Sequence, residues 1–426
     1  MQIDVIEGSD GLAGFERNWR AVYDADPEAQ FFLSWTWIAK FLSVQSGQFL
    51  ALAARPDSSQ DYVAFFPIGL GTTALEKGGF VTEVYMASAG AADYTGFICR
   101  PEFEDEAIPA FARTIASMRW ANLHIEDVVA SDRRFDLFFR AFPKTAYRTS
   151  RVDRTSPVDG VDSGLAPRIE LPADWPTYLA TKVSANTRHN IRRSLQEVEG
   201  DDRYRITHAT RETIDRDVAT LTDLWARQWR ERKGERTDFM ARFFGTVLHH
   251  CFEDDALFLP VLWHDDLPIA ALALIVDHQQ NSFLYFIGGR DTTHGGLRAG
   301  LVLHAHSIRN AIENGIATYD LLQGNERYKH SLGAEDRPLR NITVSTKSLG
   351  ILARCLDIRC LPRAVDIALR QHRAGRLAQA ERGYRQILAI APHHTIAVEG
   401  YGRLLGERGN RAAADKLIKA RQAHQR

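Results

Sequence analysis

The stretch from Ser282 to Lys329 constrains the fold of this chain more than any other, because it reads in order as strand, glycine-rich loop, helix, strand and dense polar motif. SFLYFIGG (282–289) is apolar and aromatic and ends in two glycines, the pattern of a strand that opens into a loop. RDTTHGGLRAG (290–300) then brings Gly295, Gly296, Ala299 and Gly300, none with a side chain beyond Cβ, so backbone N–H groups can approach a ligand closely. LVLHAHSIRNAIENG (301–315) supplies a helix whose N-terminus carries the positive end of its dipole, a geometry suited to a pyrophosphate. Gly315 stops that helix, TYDLLQG (318–324) reads as a buried strand, and NERYKHSL (325–332) packs Asn, Glu, Arg, Tyr, Lys, His and Ser together. The glycine order is not G-x-G-x-x-G and the Walker lysine is missing, which disfavours a nicotinamide site and a P-loop.

The run from GGRD through GLRAG to YDLLQGNERYK resembles the coenzyme A-binding half of the GNAT acyltransferases. More narrowly it resembles the FemAB-like branch associated with cellulose and exopolysaccharide loci, the CelD-like proteins. The late motif of that branch stands here as Asp320, Gly324, Asn325, Glu326, Tyr328 and Lys329. FFLSWTWIAKF (31–41), AADYTGF (91–97) and SANTRHNIRRS (184–194) fit the branch in the same order, so the resemblance spans roughly residues 1–350. It implies tandem GNAT-like folds, an α/β (α+β) architecture of mixed sheets flanked by helices. It further implies an acetyl-CoA or other acyl-CoA co-substrate, with no metal, held by Gly288, Gly289, Gly295, Gly296, Arg298, Ala299 and Gly300.

Acyl transfer from a thioester needs a deprotonated amine against the carbonyl, a donor for the developing oxyanion and an acid for the leaving thiolate. Glu326 and Tyr328 have the chemistry of base and acid, and Lys329 that of a charge stabiliser. The competing reading makes Glu326 and Lys329 a surface ion pair three residues apart. Trp37, Asp93, Tyr94, Arg188, Arg192 and Asp320 are the residues expected on the acceptor side. Asp93 and Tyr94 follow the small-residue run ASAGAA, and Arg188 and Arg192, four apart on a helix, can share a face toward a phosphate or carboxylate. Trp35 and Trp37 are two apart in a helical segment, so only one is expected in the core. His304 and His306 do not share a helix face and no carboxylate completes a ligand spacing, so no metal site is expected. Ser184 and Cys251 lack the context of a covalent nucleophile.

Apolar residues make up 45% of the 426 and charged ones 25%, an ordinary globular balance for two or three domains. With a net charge of −1, no global field draws the chain to nucleic acid or an anionic membrane. Cys99, Cys251, Cys355 and Cys360 are spread without a C-x-x-C pair, as expected of reduced thiols in the cytoplasm. The N-terminus lacks a basic-then-apolar leader, and no window approaches the roughly 20 apolar residues of a membrane span.

Residues 1–150 alternate strands and helices as one GNAT-like half, 151–167 form a Ser/Asp/Gly/Pro-rich linker or long loop, and 168–350 repeat the order as the half with the acyl-CoA site. Residues 362–426 resemble a tetratricopeptide tail: Gly375, Ala380, Tyr384, Leu388 and Pro392 fall at repeat positions, and Gly409 and Ala414 recur about 34 residues after Gly375 and Ala380. Fewer than two repeats cannot stand alone, so this tail is expected to dock, self-associate or cap itself, or to take a protein partner.

These readings converge on a cytoplasmic N-acyltransferase acting on an amino group of a sugar or cell-envelope precursor, a small-molecule or glycan-type acceptor, without nucleic acid and without membrane insertion. The alternatives are an aminoacyl-tRNA-dependent FemAB-type ligase and a non-catalytic GNAT-like adaptor that recruits partners through its tail.

Overall fold

The computed structural model describes residues 1–44, 48–347 and 355–424. The chain opens with β1 (Gln2–Glu7), a single turn α1 (Gly8–Leu12), α2 (Glu16–Ala25) and α3 (Trp35–Val44). Next come β2 (Gln48–Arg55), β3 (Ala64–Ala74), β4 (Phe80–Met86) and a short β5 (Ile98–Cys99). Helix α4 (Glu104–Ser117), β6 (Asn122–Val128), α5 (Asp132–Phe139) and β7 (Tyr147–Arg151) follow. After β8 (Leu165–Glu170) come α6 (Trp175–Thr181), α7 (Ala185–Glu199), β9 (Tyr204–His208), α8 (Ile214–Lys233) and α9 (Arg236–Glu253). Four strands lead to the glycine loop: β10 (Leu257–Phe258), β11 (Pro260–His264), β12 (Leu267–Asp277) and β13 (Ser282–Arg290). The chain goes on through α10 (Ala299–Glu313), β14 (Thr318–Asp320), α11 (Arg327–Ser331), β15 (Glu335–Pro338) and β16 (Arg340–Thr346). It closes with α12 (Leu361–Arg373), α13 (Leu377–Ile390), α14 (Thr395–Glu407) and α15 (Arg411–His424).

Two sheets repeat one pattern of pairing. The first runs β1-β2-β3-β4-β6-β16-β7 and the second β9-β11-β12-β13-β14-β8-β15, with β5 beside β3 and β10 beside β12. In each, the fourth and fifth strands are the parallel pair, β4 with β6 and β13 with β14, and the other neighbours are antiparallel. A parallel step needs a crossover, which α4 and α10 supply. The chain leaves the last strand of the first sheet, β7, to become the sixth strand of the second, β8; it leaves β15, the last of the second, to become β16, the sixth of the first. The two compact units therefore do not follow linear halves. One comprises Met1–Glu28, Leu42–Val152 and Arg340–Arg426, the other Ala29–Phe41 and Asp153–Leu339. The stretch 151–167 thus ends inside β8, while the half-boundary at residue 350 and the last two residues of the tail lie outside the described residues.

In the first unit, Phe66, Ile108, Phe111 and Phe138 pack beneath the sheet. Arg134, 2% exposed, is fixed there by Asp26 (2.7 and 3.0 Å) and Glu104 (2.9 Å). The tail helices belong to the same core: Leu361, Ala364, Val365, Ala368, Ala380, Tyr384 and Ile387 are buried in one cluster with the sheet. The small residues have a packing reason, since a Cβ on Gly383 would lie 2.8 Å from the Phe80 ring and one on Gly400 2.7 Å from Tyr384.

In the second unit, β12 reads as an almost unbroken apolar run because it is covered on both faces. The segment Ala29–Phe41 is tied into this unit by the Phe31 N–H, which donates to Asp277 Oδ2 (3.1 Å), and by Gln280 Nε2, which donates to the Ala29 carbonyl (2.8 Å). Trp35 and Trp37 are both buried, which corrects the expectation that only one enters the core. A short helix enclosed on several sides has no obligatory solvent face.

Candidate active site

Strand β13 pairs with β14 only over Ser282–Leu284 and then runs on to Arg290 while the two strands part. The register of β13 against β12 slips between Tyr285 and Ile287, leaving Phe286 as the extra residue of a bulge. The candidate site is built at this parting, from the rest of β13, the glycine loop, the start of α10 and the motif after β14.

The glycines divide into two kinds. A Cβ on Gly289 would lie 2.5 Å from the Trp225 backbone nitrogen, and one on Gly288 would lie 2.6 Å from Leu272 and from the Tyr285 hydroxyl. These two are therefore glycine because α8 and neighbouring side chains press on β13. Around Gly295, Gly296 and Gly300 a Cβ would meet nothing within 4 Å. Gly296 has φ +97°, so it needs glycine for its backbone as well. Buried Leu297 and Ala299 anchor the loop, and Arg298 is exposed at the N-cap of α10. That N-cap makes no side-chain hydrogen bond and the first turn holds no acid, so the helix end offers uncapped N–H groups to an anion. The open half of the loop fits a pyrophosphate.

Behind the loop lies a polar cluster that sequence reasoning missed. His304 on α10 has Nδ1 2.9 Å from the Tyr319 hydroxyl and its ring edge-to-face with Tyr285 at 4.7 Å. Burial, aided by the Lys329 cation, lowers the His304 pKa to about 3, so the imidazole is neutral. Burial pushes Tyr285 up to about 12, with Glu326 adding to it, and raises Tyr319 and Tyr328 as well. Tyr285 and Glu326 add to the rise at Tyr328, whose residue surface stays 43% exposed. All three tyrosines are thus neutral phenols able to donate. Their signal in the sequence was faint: an aromatic in an apolar strand and a histidine on an apolar helix face read as packing.

Glu326 stands at the N-cap position of the short helix α11 without a side-chain capping bond, and its Oε2 lies 3.0 Å from Lys329 Nζ. Lys329 is only 3% exposed while the Glu326 side chain is 41% exposed, so the pair joins a buried cation to a half-exposed carboxylate. Asp320, equally buried, accepts from the Leu322 N–H (2.8 Å) and Arg337 Nη2 (3.0 Å).

The remaining acceptor-side candidates are scattered. Arg188 Nη1 donates to the carbonyls of Leu179 (2.9 Å) and Ala180 (3.3 Å) near the end of α6, while Arg192 is exposed on α7. Trp37 is 2% exposed, edge-to-face with Phe32 and Phe286, and its buried Nε1 has no hydrogen-bond partner among the described residues. Asp93 and Tyr94 belong to the first unit, after β4, and Tyr94 is buried. Among the described residues no group of three or more His, Cys, Asp or Glu is placed to hold a metal ion. None of the four cysteines is in a disulfide, and all are buried. No described helix is long and apolar enough to cross a membrane.

Residues 185–330, which carry the loop, the helix and the late motif, match the family described as Acetyltransferase (GNAT) domain. That stretch is a GNAT-type acyltransferase domain. The fold of the chain is similar to the crystal structure of FemX, with a TM-score of 0.53 and 10% identity over 79% of this chain and 96% of that one. A conserved protein of unknown function from Bacteroides thetaiotaomicron VPI-5482 gives a TM-score of 0.48, 14% identity and coverage of 78% and 96%. A tandem GNAT protein from the clavulanic acid biosynthesis pathway gives 0.40, 11% identity and coverage of 81% and 98%. No curated protein matches the acyltransferase.

Proposed function

We propose that this acyltransferase takes its acyl group from acetyl-CoA or a longer acyl-CoA and delivers it to an amino group of a sugar or cell-envelope or exopolysaccharide precursor in the cytoplasm. The observation that carries the reading is the open loop at Gly295, Gly296 and Gly300 on the uncapped N-terminus of α10. Acyl-CoA supplies the activated carbonyl. The loop N–H groups and Arg298 hold its pyrophosphate, and Glu326 removes the proton from the attacking amine. The nitrogen–carbon bond forms as the carbon–sulfur bond breaks, and the Tyr328 phenol protonates the leaving thiolate. Arg192, exposed on α7, is the acceptor-side residue with a charge to offer an anionic precursor. A CelD-like place in polysaccharide synthesis and a tetratricopeptide-like character of the tail rest on the sequence resemblance.

The test is thermal stability with and without acetyl-CoA and longer acyl-CoAs. A ligand at about 100 times its dissociation constant adds about 2.7 kcal/mol, a shift of several degrees. Gly300→Asp, which adds an acid to an open position at the anion end of α10, abolishes the shift. No shift with any thioester would move the reading to an aminoacyl-tRNA-dependent ligase, which the likeness to FemX in fold keeps in view. That alternative predicts tRNA binding that weakens steeply with salt.

A further inference from the structure

Five described non-glycine residues have a left-handed backbone, and four of them are Asp or Asn, which tolerate it. The fifth is Leu322, at φ 58° and 3% exposed, two residues beyond β14. Two charged side chains hold it there. Asp320 Oδ1 accepts from the Leu322 N–H (2.8 Å) in an Asx-type turn, while its Oδ2 is taken by Arg337 (3.0 Å). From the other side, Lys329 Nζ donates to the carbonyls of Leu322 (3.4 Å) and Gln323 (2.6 Å) and lies 3.0 Å from Glu326 Oε2. The buried ammonium gives two of its three donors to the turn's carbonyls and faces the Glu326 carboxylate as an ion pair. The peptide groups on both sides of Leu322 are thus tied, and neighbours rather than its own preference fix its conformation. The turn passes directly into Gly324, at φ 93°, where a Cβ would sit 2.8 Å from Glu326 Oε2. The Glu326 carboxylate is therefore folded back over the turn.

We propose that Asp320 and Lys329 are positioning residues: together they clamp Leu322 in the left-handed conformation and so set the direction of Glu326 and Tyr328, without touching either substrate. The roles of Glu326 and Tyr328 rest on the acyl-transfer reading; the clamp does not.

Two readouts test it on the full chain. Amide hydrogen exchange over residues 321–326 needs no substrate. Asp320→Ala and Lys329→Met each speed it by about tenfold or more, and placing either in the Leu322→Gly background leaves it within about threefold of Leu322→Gly alone, since glycine reaches this backbone unaided. In turnover with an acyl-CoA and an amine acceptor, the single variants lose about 10- to 100-fold in kcat with KM for both substrates within about threefold, and against Leu322→Gly alone the double variants lose little. Leu322→Gly alone, which deletes a buried side chain, is the reference against which the double variants are read, and Lys329→Met is read in that background should it not fold by itself. A raised KM with kcat kept would mean that Asp320 or Lys329 touches substrate and would overturn the proposal, as would a double variant whose exchange runs well above that of Leu322→Gly alone. If no thioester is turned over, exchange still decides the clamp and only the acyl-transfer reading falls.

Discussion

Gln386, on the third-last helix of the chain, grips both backbone groups of Phe80 at the start of β4: the Phe80 N–H donates to its Oε1 at 2.7 Å and its Nε2 donates to the Phe80 carbonyl at 2.8 Å. The side-chain amide thus serves as a missing strand neighbour, and the tail is part of the first unit rather than an appendage.

Removal of residues 362–426 is accordingly expected to destabilise the first unit, by exposing Phe80, Leu70 and Leu356 and by orphaning the Phe80 backbone. Gln386→Ala alone should cost about 2 kcal/mol, the loss from leaving buried backbone groups unsatisfied. Urea unfolding of the two variants against wild type reads this. A truncated chain as stable as the full one would show that the tail is a separable module. The truncation therefore cannot by itself separate an enzyme from an adaptor.

The two kinds of glycine at the site should respond in opposite ways. Gly289→Ala forces a Cβ to within 2.5 Å of the α8 backbone and is expected to lower stability by about 1–3 kcal/mol, the range for overpacking a tight contact. Gly300→Asp meets open space at an uncapped helix start and should leave stability level or slightly raised while removing acyl-CoA binding. Melting curves with and without acetyl-CoA separate the pair. If Gly289→Ala keeps stability and loses only ligand, its assignment to packing fails.

Much of this was legible in the chain. The strand, loop, helix and strand from Ser282 to Asp320 follow from apolar runs punctuated by Gly288, Gly289 and Gly315, because turn and stop chemistry is local. Exchange of sixth strands between the sheets was not legible, since β8 and β16 are short runs whose partners lie far away in sequence, and pairing partners are not written in periodicity. The same limit hid the site's polar cluster. Tyr285, His304 and Tyr319 come from three elements, and only the parting of β13 from β14 brings them together. Residue type marked Glu326 and Lys329 as a pair but not that Lys329 is buried, a property of the turn around Leu322.

Asp277 gives a pH dependence with a defined sign. Burial pushes its pKa up to about 6 from 3.8, against the N–H bonds from Gln280, Phe31 and Gln279 that favour its ionised form. Between these values the folded chain keeps a proton that the unfolded chain has released, so this group's contribution to stability falls as pH rises through the window and is fully present below it. Across the window the change is about 3 kcal/mol. Asp277→Asn removes the titration, so from pH ~4 to pH ~7 its stability should gain on wild type. Parallel stability curves over that range would rule the buried titration out.

The first unit repeats the strand order of the second but opens its crossover helix with acids, and this predicts the number of acyl-CoA molecules bound. A cavity of about 20 Å³, room for a single water-sized group, is lined by Phe66, Met86, Phe97, Ile125, Phe135 and Phe138. The unit's crossover helix α4 begins with Glu104, Asp105 and Glu106, acids that repel a phosphate from the helix end where α10 has none. Glu104 is moreover committed to Arg134. Calorimetric titration with acetyl-CoA is therefore expected to give one site per chain, and Gly300→Asp to abolish all of the heat. Two sites, or one site that survives Gly300→Asp, would mean that the ligand enters the first unit despite the acids at the start of α4.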